Sequence, residues 1–383
     1  MLYKKSFFIN YSSLDKLSRY GMLLGFCFDL SGHLGLRMLL SFPCILYLLF
    51  RNLYTFKDNL YIFGLIFLLG IFPFFQLLKG FVLYKPNEFV VSQFMSTFQM
   101  IFLYISLKNV NGKILLNEFV NSLFIAQICV LVLFFGGLLG NPILTNIINF
   151  LGGPFEGGYF GFLLVDGYTV PQIYFKSTLF YIFPAIYFFS DKKYIKSLIS
   201  LITLVLALSK AGSVLALFGI LILIIRRKKI YDFFFLLIII LLLGFFGESY
   251  LNNYLELKDS YTLYVRDMQI RWFQNWIFTE PLDFIFGMGL GSNVNIPGFG
   301  IASALELDHL DTIRKYGLLW FIIVIIILFK IIIKSFSLKN HFGITIAFIM
   351  TFIGVGTNPL FLTSLFFIIT FIIYKLNHEQ ISY

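Results

Sequence analysis

The sequence predicts an all-α polytopic membrane protein of about twelve transmembrane helices, with one large, partly helical extracytoplasmic loop. Three observations predict it. The 383 residues are 59% hydrophobic and 13% charged, where soluble domains run near about 25% charged. The apolar residues lie in continuous runs rather than alternating ones, and the lysines and arginines gather in every second gap between those runs. A chain with a mean hydropathy of +0.88 carries too little polar surface to cover itself in water, so lipid serves as much of its solvent.

A helix crosses the hydrocarbon core with about 20 apolar residues, in a range of roughly 17–25. The first run, 18–31, follows Lys4, Lys5, Lys16 and Arg19. No small-residue cleavage site closes it, so it reads as a retained helix and not a signal peptide. Its strongly apolar part is short, Tyr20 to Phe28. Runs 34–50, 60–78, 88–107 and 116–139 come next. After a Gly-rich gap come 175–190, 194–209, 211–225 and 231–247, and after a long polar gap 316–334, 342–357 and 359–374. Continuous apolar runs select helices, because an open strand in lipid leaves its backbone polar groups unpaired and a closed barrel alternates.

Orientation follows from the basic residues. With the N-terminus cytoplasmic, most lysines and arginines fall inside, the clearest groups being Lys192–Lys193–Lys196 and Arg226–Arg227–Lys228–Lys229. An even number of spans puts the C-terminus inside too. The net charge of +10 is then cytoplasmic anchoring, and no aromatic-basic motif accompanies it that would suit a nucleic acid. The chain reads as one transmembrane domain over 1–383, with no attached soluble module. Cys27, Cys44 and Cys129 sit in or beside apolar runs without metal-ligand spacing. His33, His309, His341 and His378 are scattered, so no metal site or cofactor is expected.

Two extracytoplasmic loops stand out. The smaller, 140–175, holds Gly152–Gly153–Pro154 and Gly157–Gly158, with Glu156 and Asp166. The larger, 248–315, is the longest polar stretch and is rich in Trp and Tyr (Trp272, Trp276, Tyr250, Tyr254, Tyr261, Tyr264), so it is expected to fold. Within it 266–278 and 306–316 are helix-compatible, Pro281 follows the first, and Gly287–Met288–Gly289–Leu290–Gly291 reads as a tight turn.

Charges on the exported side cluster between Lys210 and Lys315. Lys210 sits at a hairpin with almost no loop, where it either snorkels to headgroups or faces an anionic ligand. Arg266 and Arg271 lie five apart, roughly 140° around a helix, so at most one of them points into a given site. A guanidinium stays charged and makes forked bonds to phosphate oxygens. The alternative for both is a solvated helix with Asp267 and Glu280 nearby. Glu306 and His309, at i and i+3, share a helix face continued by Leu310, Ile313 and Gly317, with Arg314 and Lys315 at the membrane border. A carboxylate beside an imidazole suits a general base. The alternative is a polar juxtamembrane turn.

At these residues the chain resembles the O-antigen polymerase and ligase superfamily, multi-span glycosyltransferases acting on lipid-linked oligosaccharides. Leu208–Ser209–Lys210–Ala211–Gly212 resembles the family's Ser-Arg-Gly-like hairpin, with Lys in place of Arg. Arg266, then Pro281–Leu282, then Gly287-x-Gly289-x-Gly291 resembles its Arg…Pro-Leu…Gly-x-Gly element, with Asp283–Phe286 as a short insertion. Glu306-x-x-His309-Leu310-x-x-Ile313-x-x-x-Gly317 resembles the helix returning to the membrane. The match covers Leu208–Gly317. Ligases usually carry His-Asn where Glu306 stands, and many polymerases carry Glu, so the resemblance favours a polymerase. It implies transfer of a glycan from undecaprenyl diphosphate to a sugar hydroxyl of another lipid-linked unit, at the outer face of the bacterial inner membrane, without metal or nucleotide sugar. Glu306 and His309 are the implied catalytic pair. Lys210, Arg266, Arg271 and Arg314 are the implied diphosphate-binding residues. By the same analogy a chain-length regulator and a flippase are expected partners. Two other readings stay open: an O-antigen ligase, and a polysaccharide flippase or transporter, which would expect charges buried mid-span and inverted repeats.

Overall fold

The computed structural model describes residues 3–30, 35–53, 66–83, 90–152, 158–165, 168–207, 209–227, 264–302, 304–305, 307–338 and 363–379, with isolated positions at 64 and between 231 and 237. They are mostly helical, with two antiparallel hairpins. In chain order the elements are α1 (Tyr3–Phe28), α2 (Phe42–Leu53), α3 (Phe72–Leu83), α4 (Val90–Leu107), α5 (Gly112–Leu138), α6 (Pro142–Leu151), β1 (Gly158–Val165), β2 (Tyr168–Phe175), α7 (Ile182–Ser190), α8 (Tyr194–Leu206) and α9 (Lys210–Arg227). A helix over 264–279 is α10. Then follow α11 (Pro281–Phe286), β3 (Val294–Ile296), β4 (Gly300–Ala302), α12 (Asp308–Tyr316), α13 (Leu318–Ser337) and α14 (Ser364–Glu379). The runs expected at 231–247 and 342–357 lie largely or wholly outside the described residues, as do Glu156 and Asp166.

Two helices among the described residues are long and apolar enough to cross a membrane, Gly112–Leu138 and Leu318–Ser335. Five of the other ten expected runs, 60–78, 88–107, 175–190, 194–209 and 211–225, overlap shorter apolar helices. The run at 18–31 is the end of a longer helix, α1, which takes in the basic N-terminal residues. Wide π turns over Arg37–Ser41 and Phe67–Ile71 lead into α2 and α3, and each ends two residues before a proline, Pro43 or Pro73. A proline lacks the N–H for the ordinary helical bond and its ring crowds the carbonyl four residues back. Widening the preceding turn relieves both.

The chain divides into two compact units, each drawn from separated stretches. The first comprises Met1–Tyr54 and Ser106–Tyr254. Gly21 and Gly25 let α1 approach the helix carrying Ser41 and Cys44, since a Cβ on Gly21 would lie 2.8 Å from the Cys44 sulfur. Ser41 Oγ donates to the Met22 carbonyl across this contact at 2.8 Å. Arg19 on α1 makes a forked pair with Glu118 on α5 at 2.6 and 2.8 Å, which neutralises both where water is scarce. Asn111 and Asn141 cap α5 and α6, each accepting from two free backbone N–H groups. Deeper in the unit, Gln127 donates to the Tyr181 carbonyl and accepts from Ser200, a polar tie among α5, α8 and the 3₁₀ turn at Thr178–Tyr181.

The loop expected as Gly-rich turns at 140–175 contains α6 and the β1–β2 hairpin instead. The register runs from Gly158 opposite Phe175 to Val165 opposite Tyr168. Pro171 is tolerated because each strand of a two-stranded sheet has a free edge.

The second unit comprises Thr55–Ile105 and Leu255–Tyr383. Here α4 carries Phe94, Phe98 and Phe102 in successive ring contacts. Gln99 donates to Ser364 of α14 at 2.5 Å, and Asn377 on α14 donates to Ser335 on α13 at 2.8 Å. The rest of the unit is the folded part of the large polar loop.

Candidate functional site

The loop has its own apolar core of Phe273, Trp276, Met288, Val294, Ile296, Ala302, Leu305 and Ile313. Phe273 and Trp276 come from α10 by helical spacing. Val294, Ile296 and Ala302 come from the β3–β4 hairpin, and Ile313 from α12. The face of α12 expected to run through Leu310 and Ile313 is therefore the face that packs inward.

Between α10 and α12 the backbone makes a turn that requires glycine. Gly287, Gly289 and Gly291 have φ of 86°, 101° and 75°, in the left-handed region that a side chain disfavours. Space is short as well. A Cβ on Gly289 would stand 2.8 Å from the Gly80 nitrogen and 2.9 Å from the Gln76 carbonyl oxygen. The turn hangs its N–H groups on its neighbours. Met288 donates to the Arg314 carbonyl at 2.7 Å, Leu290 to the Gln76 carbonyl at 3.0 Å, and Gly291 to Gln93 Oε1 on α4 at 3.3 Å. Gln76 donates to the Phe286 carbonyl, and Lys79 pairs with Asp283 at 2.7 Å and reaches the Gly287 carbonyl. The expected insertion Asp283–Phe286 is thus part of α11, begun by Pro281 at its first turn.

Five of the six expected site residues lie among the described residues. Lys210 is the first residue of α9 in the first unit, where Ser213 N–H donates to the Ser209 carbonyl at 2.8 Å and Gly212 packs on Leu204 and Leu179; the Lys210 side chain lies outside the described set. The other five belong to the second unit. Arg266 is half-buried on α10. Arg271, 76% exposed, pairs with Asp267 at 2.9 Å one turn away, an exposed pair of little weight. His309 is half-buried on α12, its ring edge-on to Phe321 at 5.4 Å. Glu306, three residues before it in the sequence, lies outside the described residues, and the helix expected from 306 begins at Asp308 after an extended Leu307.

Arg314 has an occupation that its position in the sequence did not suggest. It is 0% exposed. Its Nε and Nη2 donate to Asp311 Oδ1 at 2.9 and 2.7 Å, and its Nη1 donates to the Ser292 carbonyl and hydroxyl at 2.6 and 2.8 Å. It locks α12 to the end of the glycine turn rather than facing a ligand. Asp311 also receives Lys315 at 2.5 Å and the Leu305 N–H at 3.1 Å. Burial alone would raise the Asp311 carboxyl, but the charges and hydrogen bonds of Arg314 and Lys315 outweigh it and hold the group below its ordinary value. The Asp311, Arg314, Lys315 spacing of i, i+3, i+4 was the available signal for this cluster.

Beside the core is an open cavity of about 200 Å³. Trp272 and Trp276 form one wall, their rings stacked at 5.7 Å and 11°. Asn275, Thr279 and Glu280 of the α10 end face Asn293 and Asn295 of the β3 segment, over Met288. Trp276 is 3% exposed, and its indole N–H donates to Glu280 at 3.3 Å. Among the described residues no group of three or more His, Cys, Asp or Glu is placed to hold a metal ion. Comparison with protein-family models and with curated proteins gives no match for this chain.

Proposed function

We propose that the chain polymerises oligosaccharide repeat units carried on undecaprenyl diphosphate, by glycosyl transfer at the outer face of a bacterial inner membrane. It crosses that membrane about twelve times with both termini inside, as the apolar runs and basic gaps indicate. The single observation that carries the reading is the order of motifs on one chain: the Lys210 hairpin, Arg266, the glycine turn, then Glu306 and His309. Two structural features support it. The window Leu318–Ser335 is only 11% buried at a hydropathy of 2.7, a face that suits lipid. The glycine turn and α12, two of the motif-bearing segments of the second unit, are bonded together.

In this reading the acceptor hydroxyl attacks the anomeric carbon of the donor glycan. Its proton goes to Glu306, with His309 as partner, while the bond to the diphosphate oxygen breaks. The leaving diphosphate is already a good leaving group and needs charge stabilisation, the role that the resemblance implies for Arg266 and Lys210. Arg271, exposed on the far side of its pair with Asp267, is a weaker contributor, and Arg314 acts as scaffold. A chain-length regulator and a flippase are the partners this activity would work beside.

The test is glycan analysis of the source strain with the gene deleted and complemented by wild type, Glu306→Ala or Arg266→Ala at matched membrane abundance. Surface glycan reduced to a single repeat unit, restored by wild type and by neither variant, is the expected result. Full-length polymer retained on its lipid carrier would instead make the protein a ligase. Long surface chains persisting in the deletion would reopen the transporter reading.

A further inference from the structure

We propose that the cavity walled by Trp272 and Trp276 is a saccharide subsite that takes one neutral pyranose ring. Its affinity for sugar stands on the cavity alone. That the ring belongs to a lipid-linked glycan rests on the polymerase reading above.

Four features select this ligand class. The first is the wall. Trp272 is half-buried and backed by the buried Trp276 stacked on it at 5.7 Å and 11°, and the C–H face of a pyranose is the apolar, flat partner that an indole face accepts. The second is the polar lining. Asn275 and Asn295 each carry amide donors and an acceptor, and Glu280 adds a carboxylate that spends one acceptor position on Trp276. Vicinal hydroxyls donate and accept at once, so a mixed lining matches them where a purely cationic or purely apolar one would not.

The third feature is charge. Among the described residues Glu280 is the charged member of the lining, with no lysine or arginine beside it there. Phosphate and uronic acids are disfavoured beside a carboxylate without a cation, which leaves neutral and N-acetylated sugars. The fourth is size. About 200 Å³ falls below the roughly 300–1,000 Å³ of sites for drug-sized ligands. A single ring fits and a nucleotide sugar does not. The cavity also abuts the glycine turn through Met288, so a ring held here lies beside the segment that packs against α12.

The chain has three tryptophans, two of them in this wall. The third, Trp320, is buried with its indole N–H on the Leu68 carbonyl and serves as an unmoved background. The experiment is therefore a tryptophan-fluorescence titration of the full chain, purified in a detergent without a sugar headgroup. The probes are D-glucose, D-galactose and N-acetyl-D-glucosamine, with D-glucuronate and glycerol as controls. The expected result is a saturable emission change with at least one neutral sugar, weaker binding of glucuronate, and none with glycerol. Trp272→Ala should abolish the change. Asn275→Ala, on an exposed residue that the fold does not need, should weaken binding by about three- to tenfold. No saturable change with any of the three sugars overturns the proposal, and so does undiminished binding in Asn275→Ala with a matched melting curve. The same variants scored for surface glycan separate the two readings. A chain that polymerises but binds none of the sugars removes the subsite and keeps the polymerase. A chain that binds sugar while deletion leaves long glycan intact keeps the subsite and removes the polymerase.

Discussion

At the scale of single residues, Asp311 is the position on which most of the loop's polar order depends. It holds Arg314 and Lys315 and caps the Leu305 N–H while itself buried. Asp311→Asn keeps the shape but leaves the Arg314 guanidinium buried without its counter-charge. Removing one partner of a buried pair costs about 3–5 kcal/mol, so a clear fall in melting temperature is expected for the purified variant. The effect has a pH signature. The folded carboxyl sits below its ordinary value of 3.8. Its contribution is complete above the unfolded value and is lost as pH falls through the folded one. The gap between wild type and variant should be constant above about pH 5 and narrow below about pH 4. A gap that widens in acid would show that the carboxyl is not held ionised by its neighbours.

At the scale of elements, the glycine turn separates two causes of glycine dependence. Gly289 and Gly300 both have positive φ, at 101° and 96°. A Cβ on Gly300 meets nothing within 4 Å, whereas one on Gly289 meets the backbone of Gly80 and Gln76. Gly300→Ala should therefore cost only the backbone strain, roughly 1–2 kcal/mol. Gly289→Ala adds the displacement of α3 and should cost about 3 kcal/mol or more. Equal melting temperatures for the two variants would mean that the turn and α3 are not in the tight contact described. The sequence marked this segment as a tight turn, because three alternating glycines have few other uses. It did not mark the partner, because Gln76 and Lys79 sit in what reads as an ordinary apolar run. Lys79 and Asp283 are 204 positions apart, and no local period encodes such a pairing.

At the scale of the whole molecule, the apolar surface left uncovered on α13 and the asymmetry of basic residues argue for a defined membrane orientation. In a background without native cysteines, Cys introduced at Asn275 should react with a membrane-impermeant maleimide in spheroplasts. Cys introduced at Lys192, in the turn between α7 and α8, should react only after permeabilisation. The reverse pattern would invert the topology and remove Glu306, Arg266 and the Trp272 cavity from the outer face together.

The sequence by itself determined that the described residues are mostly helical, where many of the apolar helices lie, and that 266–278 would coil within the large polar loop; of the expected 306–316 the helix begins only at Asp308, after an extended Leu307. Apolar run length and the 3.6-residue period are local quantities, and they survive any tertiary arrangement. The β1–β2 hairpin was not read from the sequence, where the glycines of 140–175 suggested turns alone. Only the tertiary structure decided that Arg314 is a buried tie, and that Asn293 and Asn295 face the tryptophans of α10 across a cavity. A side chain's role depends on which distant segment supplies its partner. An arginine offered to Asp311 and Ser292 on a packed face is spoken for by its neighbours, and its place beside the membrane in the sequence carries no sign of that.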